Sequence, residues 1–426
     1  MLAISLLLLG LILLLLTGLP IFAGLSLFGG LLLLSEPGGL AIVSDIVFAK
    51  TGMYVLVAIP LFAYMAHVMI RGRIVDDLYS TAYTLTRHLP GGVGIATIAA
   101  CMIFSAISGS SVATALTIGA VAIPQMIRYG YDPKIAYGLV AAGGTLGILI
   151  PPSGPMILYG VATDTSISGL FMAGLLPGFL LAVIFCVYCM FRQRGTKREQ
   201  RASAGEMFVA IRKSGWAITL PGLVLGGMYA GVFTATEAAA IGAILALMIA
   251  GLAYRSIGLR DIWACAIDAA RTSAMLFMIL ASAAVFSYAL TKMMVPQQIV
   301  DMVTHLNMGP LGFILAMMVM LFILGMFLES IAIILITSPV ILPVMTHLGI
   351  DPIWYGVLLV INLEIAMITP PVGMNLFTIK AVTHSPMGPI IRGSFPFVLL
   401  MMLGLGLVVA FPQIAVWLPN SMMNTP

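Results

Sequence analysis

Two proline doublets stand 219 residues apart in a chain that is apolar almost throughout: Pro151-Pro152 in ILIPPSG and Pro370-Pro371 in MITPPVG. Ser111 and Ser330, Pro124 and Pro343, Gly130 and Gly349, Asp132 and Asp351, and Pro133 and Pro352 keep the same spacing. The chain is therefore an internal duplication. Each proline removes a backbone donor and clashes with the carbonyl four residues before it. Within a bilayer such a gap is tolerated only where protein or a cavity covers it, so each copy predicts a membrane helix broken in mid-span.

Of the 426 residues, 61% are hydrophobic and 8% charged, and apolar runs of span length recur from end to end. This composition implies an all-α polytopic membrane protein. The 44 glycines and 30 methionines suit closely packed helices, but they do not separate a transporter from a channel or an intramembrane enzyme. The net charge of +4 resides beside expected spans, as topology determinants do, and gives no sign of a nucleic-acid partner. Cys186 and Cys189 have metal-like spacing, but they sit in an apolar helix without a second ligand pair. No disulfide or transition metal is expected. The first 19 residues lack the positive start and small-residue cleavage pattern of a signal peptide, so a retained first span is expected.

Arg192 to Lys213 is the one strongly basic stretch, which places it in the cytoplasm. Counting spans outward from it makes Arg71, Arg73, Arg87, Arg128 and Lys134 cytoplasmic as well. The segment 94–127 must then cross an even number of times, yet its length gives roughly 51 Å of helix where two passes need about 60 Å. A re-entrant hairpin with its tip at Ser108-Gly109-Ser110-Ser111 fits better, and 311–346, with its tip at Leu328-Glu329-Ser330, is the counterpart. The broken helices are placed at 135–160 and 353–380. Other spans are expected at 2–34 (interrupted at Pro20), 53–70, 169–191, 216–231, 237–254, 271–291 and 394–418. The copies then enter from opposite faces: a first half at 1–191, a basic loop and linking span at 192–231, and a second half at 232–426. The N-terminus is cytoplasmic and the C-terminus lies outside. The polar helical stretches from Ile74 and Ile299 are too polar to span and read as interface helices.

Pro151 and Pro152 leave Gly147 and Ile148 without their amide partners; Pro370 and Pro371 do the same to Ala366 and Met367. Unmet carbonyls at membrane depth are costly unless something binds them. A bare cation meets that demand, and an all-oxygen ligand set suits Na⁺. One candidate sodium site comprises Ser105, Ser108, Gly147, Ile150 and Pro152; the second comprises Gly325, Ala366, Thr369 and Pro371. The helix that starts at each hairpin tip aims its positive end into the membrane interior, where an anion can rest. Ser110, Ser111, Ser153, Ser330 and Asn375 are the candidate substrate residues. Glu329, Glu364 and Asn362 are polar groups in apolar surroundings with roles left open, while Glu237 in TATEAAA suits a helix start. No Walker A motif is present and the five histidines are scattered, so neither ATP hydrolysis nor an intramembrane enzyme is indicated.

FSAISGSSVAT from Phe104, GGTLGILIPPSGPMILYG from Gly143, TATEAAA from Thr234, GMFLESIA from Gly325 and NLEIAMITPPVGMNLF from Asn362 resemble the large membrane subunit of tripartite ATP-independent periplasmic (TRAP) transporters. The resemblance runs the length of the chain. It implies an elevator-type secondary transporter in a bacterial or archaeal inner membrane, driven by Na⁺. Such a transporter receives an organic acid from a soluble periplasmic binding protein and works with a small four-helix membrane subunit, which would be a separate chain here. Competing readings are a self-sufficient Na⁺/carboxylate symporter of similar architecture and a channel or scaffold subunit.

Overall fold

The structure, a computed structural model, describes residues 10, 14, 17–34, 39–72, 74–193 and 200–423. The start of the first expected span and the charged segment 194–199 lie outside these residues, as does the side chain of Asp76. The described elements are helical. They run α1 (Ile21–Leu34), α2 (Val43–Thr51), a 3₁₀ turn (Tyr54–Val57), α3 (Ala58–Arg71), α4 (Ile74–Thr86), α5 (Gly92–Ser108), α6 (Ser111–Arg128), α7 (Pro133–Leu149), α8 (Gly154–Thr163), α9 (Ile167–Arg192) and α10 (Ala204–Tyr229). The second half continues with α11 (Ala235–Met248), a π turn (Ile249–Ala253), α12 (Leu259–Lys292), α13 (Val295–His305), α14 (Pro310–Gly325), α15 (Ser330–Leu348), α16 (Pro352–Met367), α17 (Met374–Thr383), α18 (Met387–Ala410) and α19 (Gln413–Met423).

Both doublets end a helix, and each broken helix starts the same way. Asp132 caps α7 by accepting the Lys134 amide, Asp351 caps α16 by accepting the Ile353 and Trp354 amides, and Pro133 and Pro352 follow at the first turn, where the missing donor costs nothing. α7 and α8 meet at an angle of 41° across the first break. Single prolines behave differently: Pro124, Pro177, Pro221 and Pro396 lie inside continuous helices. Two adjacent prolines delete consecutive helical bonds, which neighbouring groups cannot mend in one turn.

Several boundaries differ from the sequence-based expectation. α10 begins at Ala204 rather than 216, because Ser203 and Glu206 form a reciprocal cap that extends the helix through its charged residues. α12 begins at Leu259 rather than 271, its charged first turns being neutralised by Arg71, which pairs with Asp261 at 3.1 Å and Asp268 at 3.8 Å. The expected span 394–418 is interrupted between α18 and α19, and α2 was not anticipated. Eight described helices are long and apolar enough to cross a membrane, or nine if the bent α7–α8 pair counts as one span.

The core is assembled from both halves. α6 packs on α7 within the first half, while α15 packs on α8 and α17 on α6, so each hairpin's second limb rests against the other half's broken helix. α1, α3, α11 and α12 form a second group, with α12 packed on α1 and α3 and α11 packed on α3.

Candidate functional site

A cavity of about 240 Å³ opens where both hairpin tips meet the first helix break. Ser108, Gly109, Ser110 and Ser111 line it from one tip, Glu329, Ser330 and Ile331 from the other, and Pro152, Ser153, Gly154 and Pro155 from the break. Met367 and Met374 come from either side of the second break. The far wall belongs to the other helix group: Ile59, Phe62 and Ala63 of α3, and Thr272, Met275 and Leu276 of α12.

Four helices of ten or more residues begin at this cavity, namely α6 at Ser111, α8 at Gly154, α15 at Ser330 and α17 at Met374. Ser110 Oγ accepts the Ala113 amide at 3.3 Å and Ser153 Oγ accepts the Met156 amide at 3.4 Å. Each such start carries roughly half a positive charge and free amides. No Lys, Arg or His is among the lining residues, and Glu329 is the only acid. Hydroxyls and helix ends are thus the polar groups of this lining whose dipoles favour negative charge.

In the first candidate sodium cluster the hairpin tip and the helix break touch. A Cβ on Gly109 would lie 2.5 Å from the Pro152 carbonyl oxygen, so tip and break are in contact. Ser108 Oγ lies 3.0 Å from Thr114 Oγ1, which donates to the Ser110 carbonyl at 2.8 Å. Ser105 is buried, its hydroxyl donates to the Cys101 carbonyl, and its own carbonyl accepts the Gly109 amide. The Ile150 amide returns to Leu146, and its side chain faces Gly178 of α9. Thr114 was missed by sequence reasoning, although its place four residues after Ser110 was the available signal.

In the second cluster the hairpin and the broken helix also touch. Ala366 fills the space beside Gly325, where an added Cβ would be 2.7 Å from the Ala366 Cβ, and the Val372 amide reaches the Met326 carbonyl at 3.3 Å. One expectation is revised: the Ala366 carbonyl is not left open, because the Thr369 amide bonds it at 3.1 Å in a tighter turn. Thr369 Oγ1 donates to the Ile365 carbonyl at 2.7 Å. Pro371 and Val372 are exposed, whereas Pro152 and Ser153 are buried.

Four candidate substrate residues, Ser110, Ser111, Ser153 and Ser330, reach the cavity; Asn375 does not line it. Its amide instead donates to the Ala141 carbonyl of α7 at 3.1 Å. Asn375 is the second residue of α17, a short helix whose register only packing decides. Asn362 similarly donates to the Met318 carbonyl of α14 at 2.9 Å. Glu364 is buried on α16 and accepts the Ser111 hydroxyl across the two halves. Glu237 forms a reciprocal cap with Thr234, as its sequence position implies.

The sequence profile described as "Tripartite ATP-independent periplasmic transporter, DctM component" matches residues 8–414. The chain belongs to this family. The C4-dicarboxylate TRAP transporter large permease protein DctM of Pseudomonas aeruginosa is 40% identical over 391 residues, covering 91% of this chain and 92% of that one. The ectoine TRAP transporter large permease protein TeaC of Halomonas elongata is 35% identical, with 85% and 86% covered. The sialic acid TRAP transporter large permease protein SiaM of Vibrio cholerae is 32% identical, with 96% of each covered. These relatives are permease subunits, and this TRAP chain is a multi-pass membrane transporter component rather than an enzyme. Among solved structures, the Alcanivorax borkumensis YdaH transporter superposes with a TM-score of 0.65 at 15% identity, covering 87% of this chain and 88% of that one. Neisseria gonorrhoeae MtrF gives 0.62 at 14% identity, covering 91% and 85%. At such identity the likeness speaks for the fold alone.

Proposed function

We propose that this chain is the permease of a Na⁺-coupled importer that carries an organic acid across a bacterial or archaeal inner membrane. The carrying observation is the cavity itself: four helix N-termini and both hairpin tips converge on a space lined by no basic side chain. Helix ends and serine hydroxyls bind the carboxylate, and Na⁺ offsets charge beside it. The first ion sits among Ser105, Ser108, Gly147, Ile150 and Pro152, with Thr114 added. The second sits among Gly325, Ala366, Thr369 and Pro371.

The two halves are inverted, which puts both breaks near the midplane, and the hairpins and broken helices travel together as an elevator. α3 and α12 form the stationary wall. The bonds Asn375 to Ala141 and Tyr159 to Pro352 support this reading, since they tie the two broken helices into one body. The named relatives carry dicarboxylates, ectoine and sialic acid, so the substrate class is a small organic acid. A separate small four-helix subunit holds the stationary group in the lipid, and a periplasmic binding protein delivers the acid. The N-terminus is cytoplasmic and the C-terminus periplasmic.

Proteoliposomes containing this chain and its small subunit test the proposal. Uptake of radiolabelled organic acid should require both an inward Na⁺ gradient and added binding protein. Uptake that needs no binding protein would identify a self-sufficient symporter, and non-saturating flux would identify a channel.

A further inference from the structure

Glu364 has no task in the scheme above. It lies on α16, is 1% exposed, and accepts the Ser111 hydroxyl through Oε2, while Oε1 has no partner among the described residues. The two ends of this bond have informative neighbours. Ser111 opens α6 directly after Ser110, whose carbonyl lies against Gly147 in the first ion cluster. Glu364 stands two residues before Ala366, and both Leu363 and Ala366 press on Gly325 in the second cluster. The bond thus joins the first hairpin tip to the second broken helix. Other cross-half bonds, among them Asn375 to Ala141, Tyr159 to Pro352 and Tyr137 to Ser385, join helix to helix or loop and touch neither tip.

We propose that the Ser111–Glu364 bond couples the two Na⁺ sites, which makes Glu364 a positioning residue; the inference rests on the two-site reading given above. A buried carboxyl group held by one hydroxyl has no other partner among the described residues to turn to and no bulk water to replace it, so the bond persists as the tip moves. Na⁺ at the first site holds Ser108 and Ser110 against Gly147. Ser111 is fixed with them and fixes the end of α16 in turn. Tight packing at Gly325 passes that constraint to the second site. Reciprocity then requires that filling the second site strengthens the first by the same factor.

The test measures Na⁺ activation of uptake by the full transporter in proteoliposomes, together with Na⁺-dependent thermal stabilisation of the purified chain. Two coupled sites give a Hill coefficient approaching about 2. Glu364→Leu should lower it to about 1 and raise the Na⁺ needed for half-activation by about 5-fold or more. Glu364→Gln, whose amide oxygen still accepts from Ser111, should retain the steepness. If Glu364→Leu does not fold, Ser111→Ala removes the same bond from its other end, and its thermal Na⁺ titration should be equally shallow. Unchanged steepness in the variants that break the bond overturns the coupling role, as does a Glu364→Gln response as shallow as that of Glu364→Leu. Na⁺-independent uptake by the unmodified transporter would instead overturn the ion reading beneath it.

Discussion

Gly147 lies against Ser110 so closely that a Cβ on the glycine would stand 2.8 Å from the Ser110 carbonyl oxygen and 2.9 Å from Thr114 Oγ1. In the second repeat the equivalent position is Ala366, and the room is provided from the hairpin side by Gly325. In the first copy glycines on both partners, Gly147 of the broken helix and Gly109 of the tip, let hairpin and break meet; in the second that glycine is on the hairpin.

Gly147→Ala should therefore push the tip away from the break. The obstructing atom is backbone, which has no rotamer to adopt, and overpacking of this kind costs about 1–3 kcal/mol. Na⁺-dependent uptake should fall by about tenfold or more, since this much barrier is about one to two decades of rate. Gly226→Ala, in open space on α10, should leave both uptake and melting temperature unchanged.

Ser108→Ala and Thr114→Ala each break the bond between their hydroxyls, and Thr369→Ala removes an oxygen from the second cluster. All three should raise the Na⁺ concentration for half-maximal uptake. Melting temperatures measured without Na⁺ should change little, because single hydroxyl bonds contribute about 1 kcal/mol. Wild-type Na⁺ activation in all three variants would remove these residues from the ion sites.

Asp132→Ala and Asp351→Ala test the repeat by its caps. Each deletes a side-chain acceptor at a helix start, and each should cost about 0.5–2 kcal/mol of stability. Thermal unfolding in detergent should show the loss in both, while uptake per folded molecule is retained.

Cross-linking separates moving from stationary parts. Ser26 and Ser282 hydroxyls are 2.9 Å apart between α1 and α12, so cysteines there are placed to form a disulfide within the group proposed to stay still. Uptake should survive it. A short bifunctional thiol reagent joining cysteines at Ala63 and Ser110, which line the cavity from opposite groups, should arrest uptake. Continued transport with that bridge in place would rule out relative movement of the two groups.

What could be read from the sequence was local in origin. Pro151-Pro152 and Pro370-Pro371 dictate where helices end, Ser110 and Ser153 dictate where the next ones begin, and Thr234 with Glu237 writes its own cap, because each effect acts within one turn of backbone. The duplication came from spacing alone. Tertiary structure decided which residues face the cavity. Phe62, Met275 and Thr272 carry no motif, Asn375 points to Ala141 rather than to the cavity, and the hydroxyl of Ser111 finds Glu364 some 250 positions away. The close approach of α7 to α18, where a Cβ on Gly138 would fall 1.9 Å from the Gly393 carbonyl oxygen, is equally silent in the sequence. The physical reason is common to all of these. In water, a helix marks its buried side with a stripe of apolar residues; in lipid both sides are apolar, so only the packing of distant segments selects the inward face.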